Sequence, residues 1–424
     1  MLLNLIERQP VLRPAILSSL LIVLSACGAS DATVGVSQGD DALKLVTTFS
    51  RVDLGTLGGR YSYAAAVNNS NTVVGWSETS TGATHAFRWT AAGGMLDLGS
   101  LPGDESSRAL AVLNEDGASL ILGVSSRGSG STPVVWSASG SISRLAVPML
   151  EGFTTALPSD FNARGQVVGS DANGFQHGWI WSSGEGKYDL TASIDGGSTE
   201  GVASAINASG VVLLTTRAFT CQRSPDCWRT YLWRSGSVFS PLGTPGNDAE
   251  ANVTGLGLND GALVVGWFSS APAYNATAYR WSATAGFSAL AHYADDASRY
   301  GYAAAVNRSG IAVGGEYHPA AAAIVASTWS AAGAIERLSP EDRNPSVAVA
   351  VNDQGAIAGW AVAGSANHAV LWQRSSSGQR VALSASSSSA KRVSPQSTTC
   401  LANVASLTSK QSLFSCVVSS DRQR

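Results

Sequence analysis

The sequence predicts an all-β fold, a seven-bladed β-propeller built from seven four-stranded repeats of about 47 residues. Three observations predict it. A short apolar strand ending in asparagine recurs at Asn68, Asn114, Asn162, Asn207, Asn259, Asn307 and Asn352. A second strand ends in tryptophan at Trp89, Trp136, Trp181, Trp233, Trp281, Trp329 and Trp372, so seven of the 12 tryptophans share one repeat position. No helical periodicity interrupts the units, and four strands in 40–50 residues is the spacing of propeller blades. The rungs of a linear β-solenoid, the alternative, are shorter.

Each element of the unit has a physical reason. The first strand, as in Ala64-Ala65-Ala66-Val67, ends at the Asn. A turn such as Asn207-Ala208-Ser209-Gly210 follows, in which Asn bonds the local backbone and Gly supplies a positive φ. Asn71 holds that Gly place in repeat 1. The second strand carries a glycine at 75, 123, 169, 266, 314 and 359, with Leu214 in repeat 4; an interior strand glycine marks close backbone approach. The third strand carries the Trp, a large wedge between neighbouring sheets. The fourth carries a leucine, at 54, 98, 145, 190, 242, 290, 338 and 383. Eight leucines for seven Asn and Trp sets leave one extra at an end. The strand before Leu54 is expected to pair with the last blade and close the ring, removing both sheet edges.

The flanks divide the chain further: 1–26 as a lipoprotein signal peptide, 27–45 as a flexible tether, 46–384 as the propeller, and 385–424 as a Ser-rich linker with a disulfide-pinned tail. Arg8 and Arg13 precede a short apolar run, Ala15 to Ala26, too short to span a bilayer. The run ends in Leu24-Ser25-Ala26-Cys27, which resembles the bacterial lipobox. That resemblance implies lipidation of Cys27 and anchoring in a membrane by several acyl chains. Gly28 after the cysteine favours the outer membrane, at the cell surface or on the periplasmic side. As a flexible chain the tether reaches roughly 20–25 Å. The other cysteines form two local pairs, Cys221 with Cys227 and Cys400 with Cys416. In an oxidising compartment such pairs become disulfides, and the second would contribute roughly 3 kcal/mol.

Composition sets further limits. Lys+Arg 27 against Asp+Glu 30 gives a net charge of −3, so a nucleic-acid binder that works by neutralising phosphate is excluded. Hydrophobic content of 44% excludes a disordered chain.

Several motifs resemble the HAF-type bacterial extracellular repeat family. His85-Ala86-Phe87 is its eponymous triplet, Asp53-Leu54-Gly55-Thr56-Leu57-Gly58-Gly59 its D-L-G-T-L-G-G run, and Val73-Val74-Gly75-Trp76 the strand after its Asn turn. The resemblance covers about residues 47–384 and is closest in repeat 1; Pro102 interrupts the run in repeat 2, and repeats 4–6 lack the His. It implies the fold and export, and brings no established reaction.

No serine-hydrolase elbow, zinc-protease, Walker or Rossmann pattern appears, and no catalytic residue, metal ligand or cofactor site is expected. His85, His177 and His368 each stand four residues before the repeat Trp, in different blades, and are expected to be structural. His292 and His318 have no partner motif. The connections from fourth strand to next blade carry acids: Asp104 and Glu105, Glu151 and Asp160, Asp195 and Glu200, Asp248 and Glu250, Asp295 and Asp296, Glu341 and Asp342. These converge on one face of a propeller, a candidate binding face for a glycan, a cation or a basic envelope protein. The sequence therefore favours a non-catalytic binding or scaffolding module at the cell envelope. The alternative is a propeller enzyme acting on extracellular polysaccharide through funnel-loop carboxylates.

Overall fold

The computed structural model describes residues 49–113, 119–173, 175–194, 198, 200–218, 227–270, 275–293, 300–340 and 343–375. Cys27, Asn114, Asp195, Cys221, Asp295, Asp296, Glu341, Asp342, Leu383, Cys400 and Cys416 lie outside them, so the lipidation and disulfide expectations do too. Among the described residues, 28 strands form seven four-stranded antiparallel sheets, and the single helical element is the 3-10 turn Pro245–Asn247. Blade 1 runs inner to outer through Gly58–Val67, Val73–Thr79, Thr84–Thr90 and Gly94–Asp97. Blades 2 to 6 repeat that order. Blade 7 takes Ser346–Val351, Ile357–Ala363 and Ala366–Arg374, and its outer strand is Phe49–Asp53 from the front of the chain. The expected ring closure is therefore made, with Asp53 opposite Val370 and Phe49 opposite Arg374.

Every inner strand carries a register shift, such as that between Ala64 and Ala66, facing the second-strand glycine or, in blade 4, Leu214. The bulge pushes backbone across its partner: a Cβ at Gly75 would sit on the carbonyl oxygen of Tyr63, and one at Gly314 on that of Tyr302. At Gly75 and Gly314 no side chain fits without moving the strand, whereas blade 4 accommodates Leu214 at the equivalent place. The bulge residues Ala65, Leu110, Leu256, Ala304 and Val349, from five blades, share one apolar cluster around the axis.

The tryptophans fill the joints between blades. Trp136 packs with Val74, Ala86 and Leu98 of the preceding blade, Trp329 with Val265, Ala278 and Leu290, and Trp372 with Val313, Ala326 and Leu338. These three are fully buried, and each donates its indole N–H backward, to Leu98 O, Ala291 O and Ser339 Oγ respectively. The repeat leucine lies one residue beyond the outer strand rather than within it. Its N–H continues the ladder onto the third strand, as in Leu98 to Ala86 O at 2.9 Å and Leu54 to Ala369 O at 2.9 Å, while its side chain drops into the joint.

The asparagines do more than turn the chain. Asn307 Oδ1 accepts from the Ile311 N–H at 2.9 Å, and its Nδ2 donates to the Asn352 carbonyl at 3.0 Å. The same reach runs from Asn162 to Asn207, Asn207 to Asn259, Asn259 to Asn307, and Asn352 back to Asn68. Asn68 donates to Leu113 O, so in blade 2 the belt position belongs to Leu113. Asn114, the residue expected there, lies outside the described residues. Leu113 has no amide to pass on, and among the described residues the belt is open between blades 2 and 3.

Candidate functional site

The three repeat histidines form intrablade pairs. His85 Nδ1 lies 2.9 Å from Asp97, His177 Nδ1 2.8 Å from Asp189, and His368 Nδ1 3.0 Å from Asp53. Each pair joins the third strand to the outer one, and the last joins the two ends of the propeller. In the D-L-G run, Asp97 Oδ1 also accepts from the Gly99 N–H at 2.7 Å. The Gly99 carbonyl in turn accepts from Ser107 Oγ of the next blade at 2.6 Å. Sequence reading treated the His and the Asp separately. The signal that joins them is co-occurrence: His stands at Trp minus four only in blades 1, 3 and 7, the blades whose leucine follows Asp97, Asp189 and Asp53.

Two further polar clusters are buried. Two residues after the glycine, Ser77 and Ser125 accept backbone N–H bonds from Leu57 and Leu101 of the incoming connection. Blade 3 has Asp171 there, accepting from the Leu150 N–H at 2.7 Å and pairing with Lys187 Nζ at 2.5 Å. Lys187 also donates to Pro148 O and lies 4.5 Å from the centre of the Trp179 ring. Burial pulls the Lys187 pKa down, and Asp171 opposes the shift. Blade 6 has Glu316 at that place, which meets His292 at 2.8 Å. This is the partner that sequence reading did not find for His292; the shared register with Ser77 points to it. Beside it the Tyr293 and His318 rings are 5.1 Å apart. Burial drives the Tyr293 phenol pKa far up; burial and Arg337 lower that of His318. All of these groups fasten connections to blades. Among the described residues no three His, Cys, Asp or Glu side chains are grouped to hold a metal ion.

The antiparallel order places every connection between blades on one face, yet the acids described there serve the loops. Asp104 accepts from Ser125 Oγ at 2.7 Å, Asp248 caps the Glu250 N–H at 3.0 Å, and Glu200 lies 3.8 Å from Arg217. Glu250 faces the Arg229 guanidinium, which bonds the Ala249 and Ala251 carbonyls. Glu105 and Glu151 are exposed. Asp160 does not belong to this group. It sits near the end of the inner strand Thr155–Phe161, where it accepts from the Phe161 and Ile206 N–H groups.

An aromatic cleft lies elsewhere, in the joint between blades 3 and 4. A cavity of about 360 Å³ is walled by Trp181, Tyr188 and Trp233 and edged by Glu185, Ser235 and Ser237. Tyr188 stands on the outer strand Gly186–Asp189, and Trp233 ends the third strand Cys227–Trp233. Their rings stack at 5.7 Å and 15°, and Tyr188 remains 48% exposed. Phe239 supports Trp233 from behind at 6.2 Å. Two residues before the repeat leucine the other blades carry Val52, Leu96, Ser143, Ser240, Ser288 and Glu336; only blade 3 places an aromatic ring there.

No family model and no curated protein matches the chain. Solved structures resemble it at low identity. TolB from Acinetobacter baumannii is 14% identical, with a TM-score of 0.39, over 66% of this chain and 63% of that one. A Mycobacterium tuberculosis puromycin-hydrolyzing peptidase is 12% identical, with a TM-score of 0.45, over 72% and 50%. Trypanosoma rangeli sialidase is 10% identical, with a TM-score of 0.40, over 76% and 59%. The chain thus spans between half and two thirds of each.

Proposed function

We propose that the protein is an exported, lipid-anchored member of the HAF-type repeat proteins, and that its propeller is a non-catalytic binding module at the bacterial envelope. The observation that carries the binding role is the aromatic cleft between blades 3 and 4. Stacking faces with a few polar edge groups are the chemistry of recognition. A glycosidase needs two carboxyl groups at roughly 5–9.5 Å, and the lining of this cleft supplies Glu185 alone. The envelope location rests on Leu24-Ser25-Ala26-Cys27 and on the local pairs Cys221–Cys227 and Cys400–Cys416, which suit an oxidising compartment. The exposed acids Glu105 and Glu151 keep the connection face as a secondary candidate for a cation or basic partner.

Expression in a bacterial host followed by mass spectrometry of the N-terminal peptide tests the anchor. The expected result is an acylated Cys27 and membrane-fraction protein, with Cys27→Ser releasing it to the soluble fraction. An intact N-terminus beginning at Met1 would refute it.

A further inference from the structure

We infer that the cleft between blades 3 and 4 is a saccharide subsite that takes one uncharged pyranose ring of a glycan, with Tyr188 as its stacking platform. This rests on the binding-module reading above and names the ligand class for its cleft.

The lining selects the ligand by elimination. It holds no Lys, Arg or His, so it offers no charge for a phosphate, carboxylate or sulfate. It holds one acid, Glu185, on an exposed turn. The walls are aromatic: Trp181 and Trp233 are about nine-tenths buried, and Tyr188 is half open. A purely apolar ligand would leave the edge groups unpaired, at a cost of about 1–3 kcal/mol for each buried one. A pyranose matches both halves. Its axial C–H face lies flat on an aromatic ring, and its equatorial hydroxyls reach donors and acceptors at the edge. The volume of about 360 Å³ falls at the small end of the roughly 300–1,000 Å³ of ligand pockets, which suits one ring of a longer chain.

The edge groups are placed for that task. The Ser237 hydroxyl is spent on the Arg234 carbonyl at 2.6 Å, and Ser182 on the Glu185 N–H at 3.2 Å, which fixes both turns. Among the described residues the Ser235 hydroxyl and the Glu185 carboxylate carry no protein hydrogen bond and remain for a ligand. The indole N–H groups of Trp181 and Trp233 are likewise unbonded, whereas Trp136, Trp329 and Trp372 spend theirs on the preceding connection. Tyr188 is held in place by its stack on Trp233, so ligand binding orders little that is not already ordered.

A glycan microarray probed with the full-length protein in detergent tests this. Expected is binding to a set of glycans that share a neutral hexopyranose. Tyr188→Ala should weaken it tenfold or more, Tyr188→Trp should retain it, and Ser235→Arg, which puts a bulky side chain into the lining, should abolish it. Thermal midpoints confirm that the variants fold. Retention of signal by both folded Tyr188→Ala and Ser235→Arg overturns the assignment. Absence of any bound glycan also overturns it, and with Cys27 acylated leaves the anchored-module reading standing. An unacylated Cys27 with a Tyr188-dependent glycan signal does the reverse.

Discussion

The asparagine belt makes a quantitative claim at Asn307, which is 3% exposed. Its Oδ1 accepts from the Ile311 N–H and the Ser309 hydroxyl, each at 2.9 Å, and its Nδ2 donates to the Asn352 carbonyl at 3.0 Å. Asn307→Ala removes all three bonds and strands a backbone donor on one blade and an acceptor on the next. At about 1 kcal/mol per bond, the loss is about 3 kcal/mol. Asn307→Asp separates the two functions. It keeps the turn acceptors, loses the interblade donor and sets a carboxylate against a carbonyl, so it should cost at least about 1–2 kcal/mol by itself. The assay is urea unfolding followed by tryptophan fluorescence, with midpoints compared at a common slope. If Asn307→Asp unfolds within about 0.5 kcal/mol of the parent, the interblade bond carries no stability and the belt is only a row of turn caps.

Four other outcomes are expected. Ala262 sits at φ +57° where the five other described turns have glycine or Asn71, so Ala262→Gly should raise stability by about 1 kcal/mol in the same titration. Gly314→Ala drives a methyl group onto the Tyr302 carbonyl and should cost more than about 3 kcal/mol or prevent folding, read by yield and circular dichroism. Asp53→Ala breaks a half-exposed pair with His368 and should cost less than about 1 kcal/mol; a large loss would mean the closing strand depends on that pair. The lowered pKa of His318 favours its neutral form in the fold. The unfolded chain therefore binds the proton first, and this contribution is present above pH 6.5 and lost below it. His318→Phe should unfold with a smaller pH dependence between 7 and 5 than the parent.

Repetition made the fold legible, because a wedge such as Trp136 recurs in every blade and a crowded glycine such as Gly75 in six of the seven. The start of the D-L-G run reads as one device only in three dimensions. Asp97 caps the turn and holds His85, Leu98 fills the joint, and the Gly99 carbonyl receives Ser107 from the next blade. Blade 3 shows why this is hard to read from the chain. Ser107 Oγ also accepts from the Ala86 N–H; the blade after blade 3 has Gly201 where that serine is expected, and there Thr191 Oγ1 accepts from the Gly178 N–H instead. Leu113 escaped notice because Asn114 stands beside it and mimics the repeat. The cleft was illegible for the opposite reason. Tyr188 is a departure from the pattern, and a search for what recurs passes over the residue that occurs once.

The closing strand has a consequence for biogenesis. Residue 49 pairs with residue 374, so the final sheet cannot exist until the chain has been made through residue 374. Contacts this remote in sequence form slowly, and until they do, the first and last wedges each offer a bare flank to neighbouring chains. A cell that makes this protein therefore has to shield an unzipped ring until the last blade is complete, and any pause near the end of synthesis exposes it to wrong partners.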